Sequence, residues 1–148
     1  MSTKIITQTA KETQKTAEIL AEEILKMPSR KKAVVLALIG NLGGGKTTFL
    51  QGFAKGLGIK EKINSPTFVI MKRFNLACRQ AGNFYHFDCY RTQKAKDILD
   101  LGFQEIISNP KNIVAIEWAD RIKSLLPKDR IMIHFELIGK NKKIIFTE

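Results

Sequence analysis

The sequence predicts an α/β fold in three layers, in which a mixed sheet with a parallel centre lies between helices. Segments 33–39 (AVVLALI) and 113–116 (IVAI) are apolar throughout, which is typical of strands covered on both faces. Segment 33–39 leads through a glycine-rich loop into a helical pattern, as in the strand–loop–helix units of parallel sheets. We therefore expect these two strands to form the parallel centre of the sheet.

A helix is predicted before the first of these strands. Thr9 and Glu12 have the spacing of a capping box, in which two side chains satisfy backbone N–H groups at the start of a helix. Pro28 cannot continue a helix, so the helix should end before it. Between these limits, small and aliphatic residues recur at helical spacing, at Ala17, Leu20, Ala21, Ile24 and Leu25.

Antiparallel strands are expected on both sides of the parallel centre. Segments 68–74 and 83–87 are rich in aromatic and β-branched residues and are predicted to pair as a long hairpin. Segments 130–137 and 142–147 flank the turn sequence GKN at 139–141, which indicates a second hairpin. The sheet as a whole should therefore be mixed.

Length and composition favour a single domain, residues 1–148. With 148 residues, of which 44% are hydrophobic, the chain can bury a core without disulfide bonds or structural metals. No segment approaches the roughly 20 apolar residues that span a bilayer, and residues 1–15 are polar and unlike a signal peptide. Cys78 and Cys89 lack metal-ligand spacing and are expected to be reduced thiols. These features predict a cytoplasmic protein.

The chain is strongly basic, with 25 Lys and Arg residues, 14 Asp and Glu residues and a formal net charge of +11. This balance favours contact with polyanions or with acidic proteins. The cations are spread along the chain with an excess in segment 121–143, and no arginine-rich tail or RNA-reading aromatic motif is present. A solvated basic surface therefore explains the charge at least as well as an RNA-binding surface does.

The most specific motif is segment 40–47 (GNLGGGKT), which satisfies the pattern GxxxxGK[ST]. Glycines let the backbone turn tightly and direct its N–H groups at phosphate oxygens, and the following helix N-terminus adds positive charge. Lys46 is expected to reach the β- and γ-phosphates, and the Thr47 hydroxyl to bind magnesium. The predicted nucleotide contacts are Asn41, Leu42, Gly43, Gly44, Gly45, Lys46, Thr47 and Thr48. The motif thus predicts a P-loop NTPase domain that binds ATP and Mg²⁺.

Two carboxylates follow predicted strands, where a nucleotide site needs acidic groups. Asp88 follows the aromatic strand at 83–87, and Glu117 follows the apolar strand at 113–116. Either acid can hold magnesium or orient water beside a P-loop. The alternative for each is a structural role, capping the next helix or pairing with a nearby arginine. The presence of both beside a P-loop favours the catalytic interpretation.

Two further features leave alternatives open. Ser65, Pro66 and Thr67 place two hydroxyls after the P-loop helix, where they either sense the γ-phosphate or form an ordinary turn, and composition favours the turn. His86 lies in the aromatic strand, where a structural histidine with satisfied hydrogen bonds is favoured over a catalytic base.

Five motifs occur in an order and spacing that resemble the bacterial TsaE ATPases: GNLGGGKTTF, NSPTFVI, YHFDCYR, LGFQEI and IEWADRI. The resemblance covers most of the chain. It implies a cytoplasmic ATPase that acts with TsaD and TsaB in making N6-threonylcarbamoyladenosine on tRNA. No arginine finger is identifiable, which predicts slow intrinsic turnover and activation by TsaD with TsaB. Whether tRNA is contacted directly or through these partners is left open.

The resemblance also implies roles for individual residues. Lys46 corresponds to the phosphate lysine, and Thr47 and Glu117 correspond to the magnesium-binding pair. Asp88 corresponds to a further essential acid near the metal, and Asp88 and Glu117 can exchange metal-holding and water-orienting roles. Trp118 follows the glutamate, as it does in the family.

Other positions are implied more loosely. The segment with Ser65, Pro66 and Thr67 matches a mobile, switch-like segment of the family, which changes its interpretation from a turn to a functional element. Nucleotide contacts near the first helix and the last hairpin are implied at Thr9, Ala10 and Gly139. The chain departs from the family at Cys89, where leucine is usual, and segment 74–83 is not distinctive. Neither departure removes a chemical group.

Two other functions fit parts of the sequence. A small-molecule or nucleoside kinase would need an arginine-bearing lid, and no segment is long or arginine-rich enough to form one. An RNA-binding module with a vestigial P-loop would not need its catalytic groups, and all of them are present. The sequence therefore favours a partner-activated ATPase, with the kinase as the alternative.

Overall fold

The computed structural model describes residues 2–28, 30–40, 45–63, 69–77 and 82–147. The strands are β1 (Ser2–Thr7), β2 (Val34–Gly40), β3 (Met71–Asn75), β4 (Asn83–Asp88), β5 (Ile113–Glu117), β6 (Ile131–Ile138) and β7 (Asn141–Thr147). The helices are α1 (Ala10–Lys26), α2 (Lys46–Gly56), α3 (Ala95–Leu99) and α4 (Phe103–Ser108), with a 3₁₀ segment at Ala119–Leu125.

The strands form one sheet in the order β1-β7-β6-β2-β5-β4-β3. The four inner strands β6, β2, β5 and β4 run parallel, and β1, β7 and β3 are antiparallel to their neighbours. The predicted mixed sheet with a parallel centre is confirmed. Its parallel part is wider than expected, because β4 and β6 each pair with the central strands on one side and with a hairpin partner on the other.

Helices cover both faces of this sheet, which gives the predicted three layers. On one face, Leu36 and Leu38 of β2 pack with residues of α1 and α2. On the other face, Val35 and Ala37 pack with α3, α4 and the 3₁₀ segment. Alternate residues of β2 are therefore buried on opposite faces, which explains why the whole strand is apolar.

The predicted first helix is confirmed with its cap. Thr9 caps α1, and its side chain accepts a hydrogen bond from the Glu12 amide at 3.2 Å. The Glu12 carboxylate in turn accepts a bond from the Gln8 amide at 3.2 Å, as in a capping box. The helix ends at Lys26, before Pro28.

No sequence pattern predicted strand β1. This strand lies at an edge of the sheet, and only Thr7 at its end is buried. A strand with so few buried positions shows no apolar alternation, and its conformation comes from pairing with β7. The hairpin of β3 and β4 is confirmed from Met71 onward, and the first residue of the predicted strand, Phe68, lies outside the described residues.

The two helices on one face touch at a glycine. A Cβ atom placed on Gly52 of α2 would lie 2.2 Å from the Gln14 carbonyl oxygen of α1, far inside van der Waals contact. Next to this contact, the Gln14 side-chain amide donates to Gln51 at 3.2 Å. Because α2 begins at Lys46, this close packing also sets the position of that lysine. Within the described ranges, no helix has both the length and the apolar character needed to cross a membrane.

We expect Gly52→Ala to lower the free energy of unfolding by about 2 kcal/mol, because the added methyl group must push α1 and α2 apart. Alanine is a better helix former than glycine by about 1 kcal/mol, so a loss of stability would report the clash and not the propensity. Urea unfolding followed by circular dichroism measures the effect. Lys55→Ala, at an exposed position of the same helix, is the control and should change stability by less than about 0.5 kcal/mol. A Gly52→Ala protein as stable as the wild type would contradict the packing described above.

Candidate functional site

The strand and the helix predicted on either side of the glycine-rich segment are present in the fold. β2 ends at Gly40 and α2 begins at Lys46, with Gly45 capping the helix in the left-handed conformation (φ 98°, ψ 12°). Residues with a side chain rarely adopt this conformation, which favours glycine here. The N-terminus of α2 lies at the carboxyl end of β2, where its amides and dipole attract anions. Asn41, Leu42, Gly43 and Gly44 lie outside the described residues.

Lys46 is a buried cation at the start of α2, with 5% of its surface exposed. Its Nζ donates a hydrogen bond to the Gly40 carbonyl oxygen and lies 3.6 Å from the centre of the Trp118 ring. Burial lowers the pKa of Lys46 below its usual value, while Glu117, Asp120 and Asp88 act in the opposite direction. The ammonium therefore lies within electrostatic reach of these carboxylates.

Asp88 and Glu117 are brought together by strand register. They are direct partners in the parallel pairing of β4 with β5, and Glu117 is also the partner of Leu38 of β2. Partners in register point to the same face of a sheet. Since Leu38 packs with the α1–α2 layer, both carboxylates point to the face that carries α2 and Lys46. The two acids predicted from the sequence thus lie beside the predicted lysine, at the carboxyl ends of neighbouring strands.

Glu117 is held by a buried hydrogen bond. The His86 ring nitrogen Nε2 donates to Glu117 Oε2 at 2.8 Å, and both residues are buried. His86 and Asp88 are two positions apart on β4 and so share the face of Glu117. The prediction that His86 has its hydrogen bond satisfied agrees with this contact, and the partner is one of the two acids.

Asp88 is less enclosed than Glu117. Its carboxylate accepts a hydrogen bond from the Tyr90 amide at 3.0 Å, in a turn at the end of β4. Burial raises the pKa of Asp88 above its usual value, the Tyr90 amide opposes this, and the nearby charge of Glu117 adds to it. The folded protein therefore holds the ionised carboxylate at a cost in free energy.

Trp118 is partly buried, and its ring lies against the Lys46 ammonium group. Its backbone is left-handed (φ 58°), the only such residue other than glycine in the described ranges. Its ring lies 5.0 Å from the Tyr90 ring, and the Arg121 guanidinium carbon lies 5.8 Å from both ring centres. The strained backbone directs the indole onto the lysine, and such strain persists only where neighbouring contacts over-determine it.

The remaining predicted residues lie around the same edge of the sheet or outside the described ranges. Thr47 and Thr48 are partly buried in the first turn of α2. β1, β6 and β2 all point their carboxyl ends to this edge, and Thr9, Ala10 and Gly139 follow directly after β1 and β6. Ser65, Pro66 and Thr67 lie outside the described residues.

Sequence reasoning selected neither Tyr90 nor Arg121 nor Lys142 as site residues. Tyr90 and Arg121 lie inside the motifs YHFDCYR and IEWADRI, which were a signal that they belong near the site. Lys142 lies in a stretch of lysines without any motif, and its side chain lies near Gly45, where an added Cβ atom would be 3.0 Å from Lys142 Cδ. Only the fold brings it to the loop.

Cys89 is a free thiol, as predicted, and it is buried. Burial is the main cause that raises its pKa to about 12. A thiol with so high a pKa is a poor nucleophile, so Cys89 is a packing residue behind the site. Cys78 lies outside the described residues.

The arrangement joins an anion site to a pair of acids. The N-terminus of α2 and Lys46 attract phosphate, and Asp88 and Glu117 can hold a cation or orient water. Within the described ranges, no three His, Cys, Asp or Glu side chains are grouped in a way that could hold a metal ion. A metal here would be bound by one or two carboxylates together with substrate oxygens, which is how proteins usually bind Mg²⁺ with nucleotides.

Known proteins resemble this chain over most of its length. The family model described as "Threonylcarbamoyl adenosine biosynthesis protein TsaE" matches residues 7–145. The tRNA threonylcarbamoyladenosine biosynthesis protein TsaE of Bacillus subtilis is 41% identical over 118 residues, which are 79% of this chain and 71% of that protein. The Rickettsia felis protein of the same name is 33% identical over 143 residues, 95% of this chain and 76% of that protein. A crystal structure of Bacillus subtilis YdiB superposes with a TM-score of 0.72 at 33% identity, covering 99% of this chain and 84% of that one.

The raised pKa of Asp88 predicts that the free energy of unfolding depends on pH. Folding favours the protonated carboxyl group of Asp88. The stabilisation that protonation provides is complete below the usual pKa of 3.8, and it is lost as pH rises through the higher pKa of the folded protein. Asp88→Asn keeps the acceptor for the Tyr90 amide and does not titrate. The stability of this variant relative to the wild type should therefore rise between pH 3 and pH 7.

This experiment compares urea unfolding at several pH values in the presence of a chelator, so that no divalent ion compensates the charge. Asp100→Asn, at an exposed position, is the control for removing one negative charge from a basic protein. A stability difference for Asp88→Asn that is flat with pH, or that follows the Asp100→Asn control, would contradict the assigned cost of ionised Asp88.

Proposed function

Because the chain belongs to the TsaE family of threonylcarbamoyl adenosine biosynthesis proteins, we propose that it is a magnesium-dependent ATPase that supports N6-threonylcarbamoyladenosine modification of tRNA. The observation that carries this proposal is the convergence of Lys46, Asp88 and Glu117 where β2, β5 and β4 end. A cation and two carboxylates on one face, beside a helix N-terminus, are the groups that phosphoryl transfer from a nucleotide requires.

Magnesium would be held by Thr47 and Glu117, with Asp88 close enough to serve as a further ligand. Mg²⁺ takes few protein ligands and completes its shell with water and phosphate oxygens, so the residues present fit this ion. The bond from His86 to Glu117 supports the assignment, because a second partner orients a ligating carboxylate. When bound, the ion would offset negative charge on the β- and γ-phosphates.

In this mechanism, Lys46 stabilises the charge that develops on the phosphates as the terminal bond breaks. Its burial removes competing water, which strengthens its interaction with a phosphate oxygen. Asp88 is the better placed acid for orienting the attacking water. It is less enclosed than Glu117. Its raised pKa makes it a stronger proton acceptor than an aspartate with the usual pKa. Glu117, fixed by His86, keeps the metal-holding role.

TsaD and TsaB are the proposed partners, and we propose that they raise a slow intrinsic rate. Activators of P-loop enzymes supply or order groups around the γ-phosphate and accelerate hydrolysis by about 10³-fold or more. The resemblance of Ser65, Pro66 and Thr67 to a switch segment gives such a partner an element to order. Contact with tRNA is proposed to pass through these partner proteins, since the basic residues are spread along the chain.

Steady-state ATP hydrolysis tests this function directly. The wild type should release phosphate slowly with Mg²⁺ and faster when a TsaD–TsaB complex is added, and Lys46→Ala should lose about 10²-fold or more of the rate because it loses the charge on the phosphates. Lys55→Ala, an exposed lysine on the same helix, is the matched control and should behave as wild type. Rates in Lys46→Ala that equal the wild type would exclude this site, and phosphate transfer to a small-molecule acceptor in place of water would instead support a kinase.

Glu117→Gln tests the metal assignment. The variant keeps the volume of the side chain and an oxygen for the His86 bond, but it loses the charge that holds Mg²⁺. We expect hydrolysis to be abolished and the Mg²⁺ concentration needed for half-maximal ATP binding to rise. Thermal unfolding of the same preparation checks that the fold is intact. A folded variant with wild-type turnover and Mg²⁺ dependence would remove Glu117 from the metal site.

A further inference from the structure

Strand β3 is an edge of the sheet, and among the described strands it pairs with β4 alone. The Asp88 amide donates a hydrogen bond to the Ile70 carbonyl oxygen at 2.8 Å, so Ile70 directs its backbone groups towards β4. In an antiparallel pair, successive residues direct these groups alternately to the partner strand and away from it. The N–H and C=O groups of Met71 and Arg73 therefore point outward from the sheet, where another strand can pair with them.

A groove of about 350 Å³ lies beside this edge, between β3 and α4. Met71 and Tyr85 pack with the layer that contains α4, so the groove lies on the face of the sheet opposite to Glu117. Leu101, in the turn before α4, is 37% exposed, and it gives one wall of the groove an apolar surface. The groove is lined mainly by Met71, Arg73, Tyr85, Leu101, Glu105 and Ile106.

Arg73 places a positive charge on the strand side of the groove. It is exposed and is the register partner of Tyr85, so it shares a face with Met71. None of the ion pairs in the described part of the chain involves Arg73. Lys72 adds a second cation on the other face, and β3 contains no acid. Pairing of β3 with a second copy of itself would bring like charges together, whereas an acidic strand would complement them.

We propose that this edge binds an extended segment of a partner protein, which adds to β3 as an antiparallel strand and places an acidic and an apolar side chain in the groove. Residues directly opposite each other in such a pair share a face. The residue opposite Arg73 would be acidic, and the residue opposite Met71 would be apolar and lie towards Leu101. Because the strands run in opposite directions, the acidic residue precedes the apolar one by two positions. Backbone hydrogen bonds give affinity in this mode, and the alternate side chains give specificity.

Fluorescence anisotropy of the full chain with a labelled synthetic peptide tests this surface without any nucleotide. The peptide GTTETVTG, in one-letter code, has the expected spacing, and we expect saturable binding. Arg73→Ala, or glutamine in place of the peptide glutamate, should weaken binding about fivefold, and the two changes together should weaken it no further, because both remove one ion pair. Lys72→Ala, which removes the same charge from the opposite face of β3, is the control and should bind as the wild type does.

Two further comparisons test the strand pairing and the apolar wall. N-methylation of the peptide valine removes an amide that points to β3 and should abolish binding, whereas N-methylation of the threonine before it, whose amide points away, should leave binding intact. Leu101→Ser should weaken binding about fivefold through the loss of apolar contact. Leu99→Ser is the matched control, because Leu99 is 38% exposed nearby but does not line the groove. Thermal unfolding checks that each variant is folded.

Four results would overturn the assignment. Absence of saturable binding to the wild type would show that the edge does not accept this strand. An equal loss in Lys72→Ala would show a general effect of charge, and an equal loss for both methylated peptides would show that no strand is added. A dimer, measured by light scattering, that the peptide dissociates would show that a second copy occupies the edge. Since no nucleotide is present, none of these results depends on the proposed ATPase function.

Discussion

The parallel register of β2, β5 and β4 is the constraint on which the site depends. It places Glu117 opposite both Leu38 and Asp88, so two acids from distant parts of the chain face one lysine. A shift of one residue in either pairing would turn a carboxylate to the other face of the sheet. The apolar strands and the helices on both sides hold this register, because each strand is buried on two faces.

The helix α2 carries Lys46 at its start and lies against one face of this sheet. Its contact with α1 is so close at Gly52 that no side chain fits, which limits how far the start of the helix can move. The burial of Lys46 follows from that position, as do its contacts with Gly40 and Trp118. Packing on one side of the helix therefore determines the electrostatics at its N-terminus.

Charge at the site is balanced locally and not across the molecule. The chain carries a net charge of +11, yet the ends of β4 and β5 present two acids beside a buried lysine. Burial raises the pKa of Asp88 and lowers the pKa of Lys46, so it favours the neutral form of each group. Groups held in this way gain stability from a ligand that brings both a cation and phosphate. A nucleotide with Mg²⁺ brings both, which is why the site geometry and the family agree in one proposed function.

Sequence patterns alone predicted the fold class, which the structure confirms, and the chemical groups of the candidate site. Continuous apolar runs predict buried parallel strands, and GNLGGGKT predicts a phosphate-binding loop from its glycines and its lysine. Asp88 and Glu117 were predicted because each follows a strand, whereas the edge strand β1 was missed because it buries almost nothing. Only the tertiary structure placed His86 on Glu117 and Lys142 on Gly45. Those contacts join residues far apart in the chain, and local patterns carry no information about which strands pair or in what register.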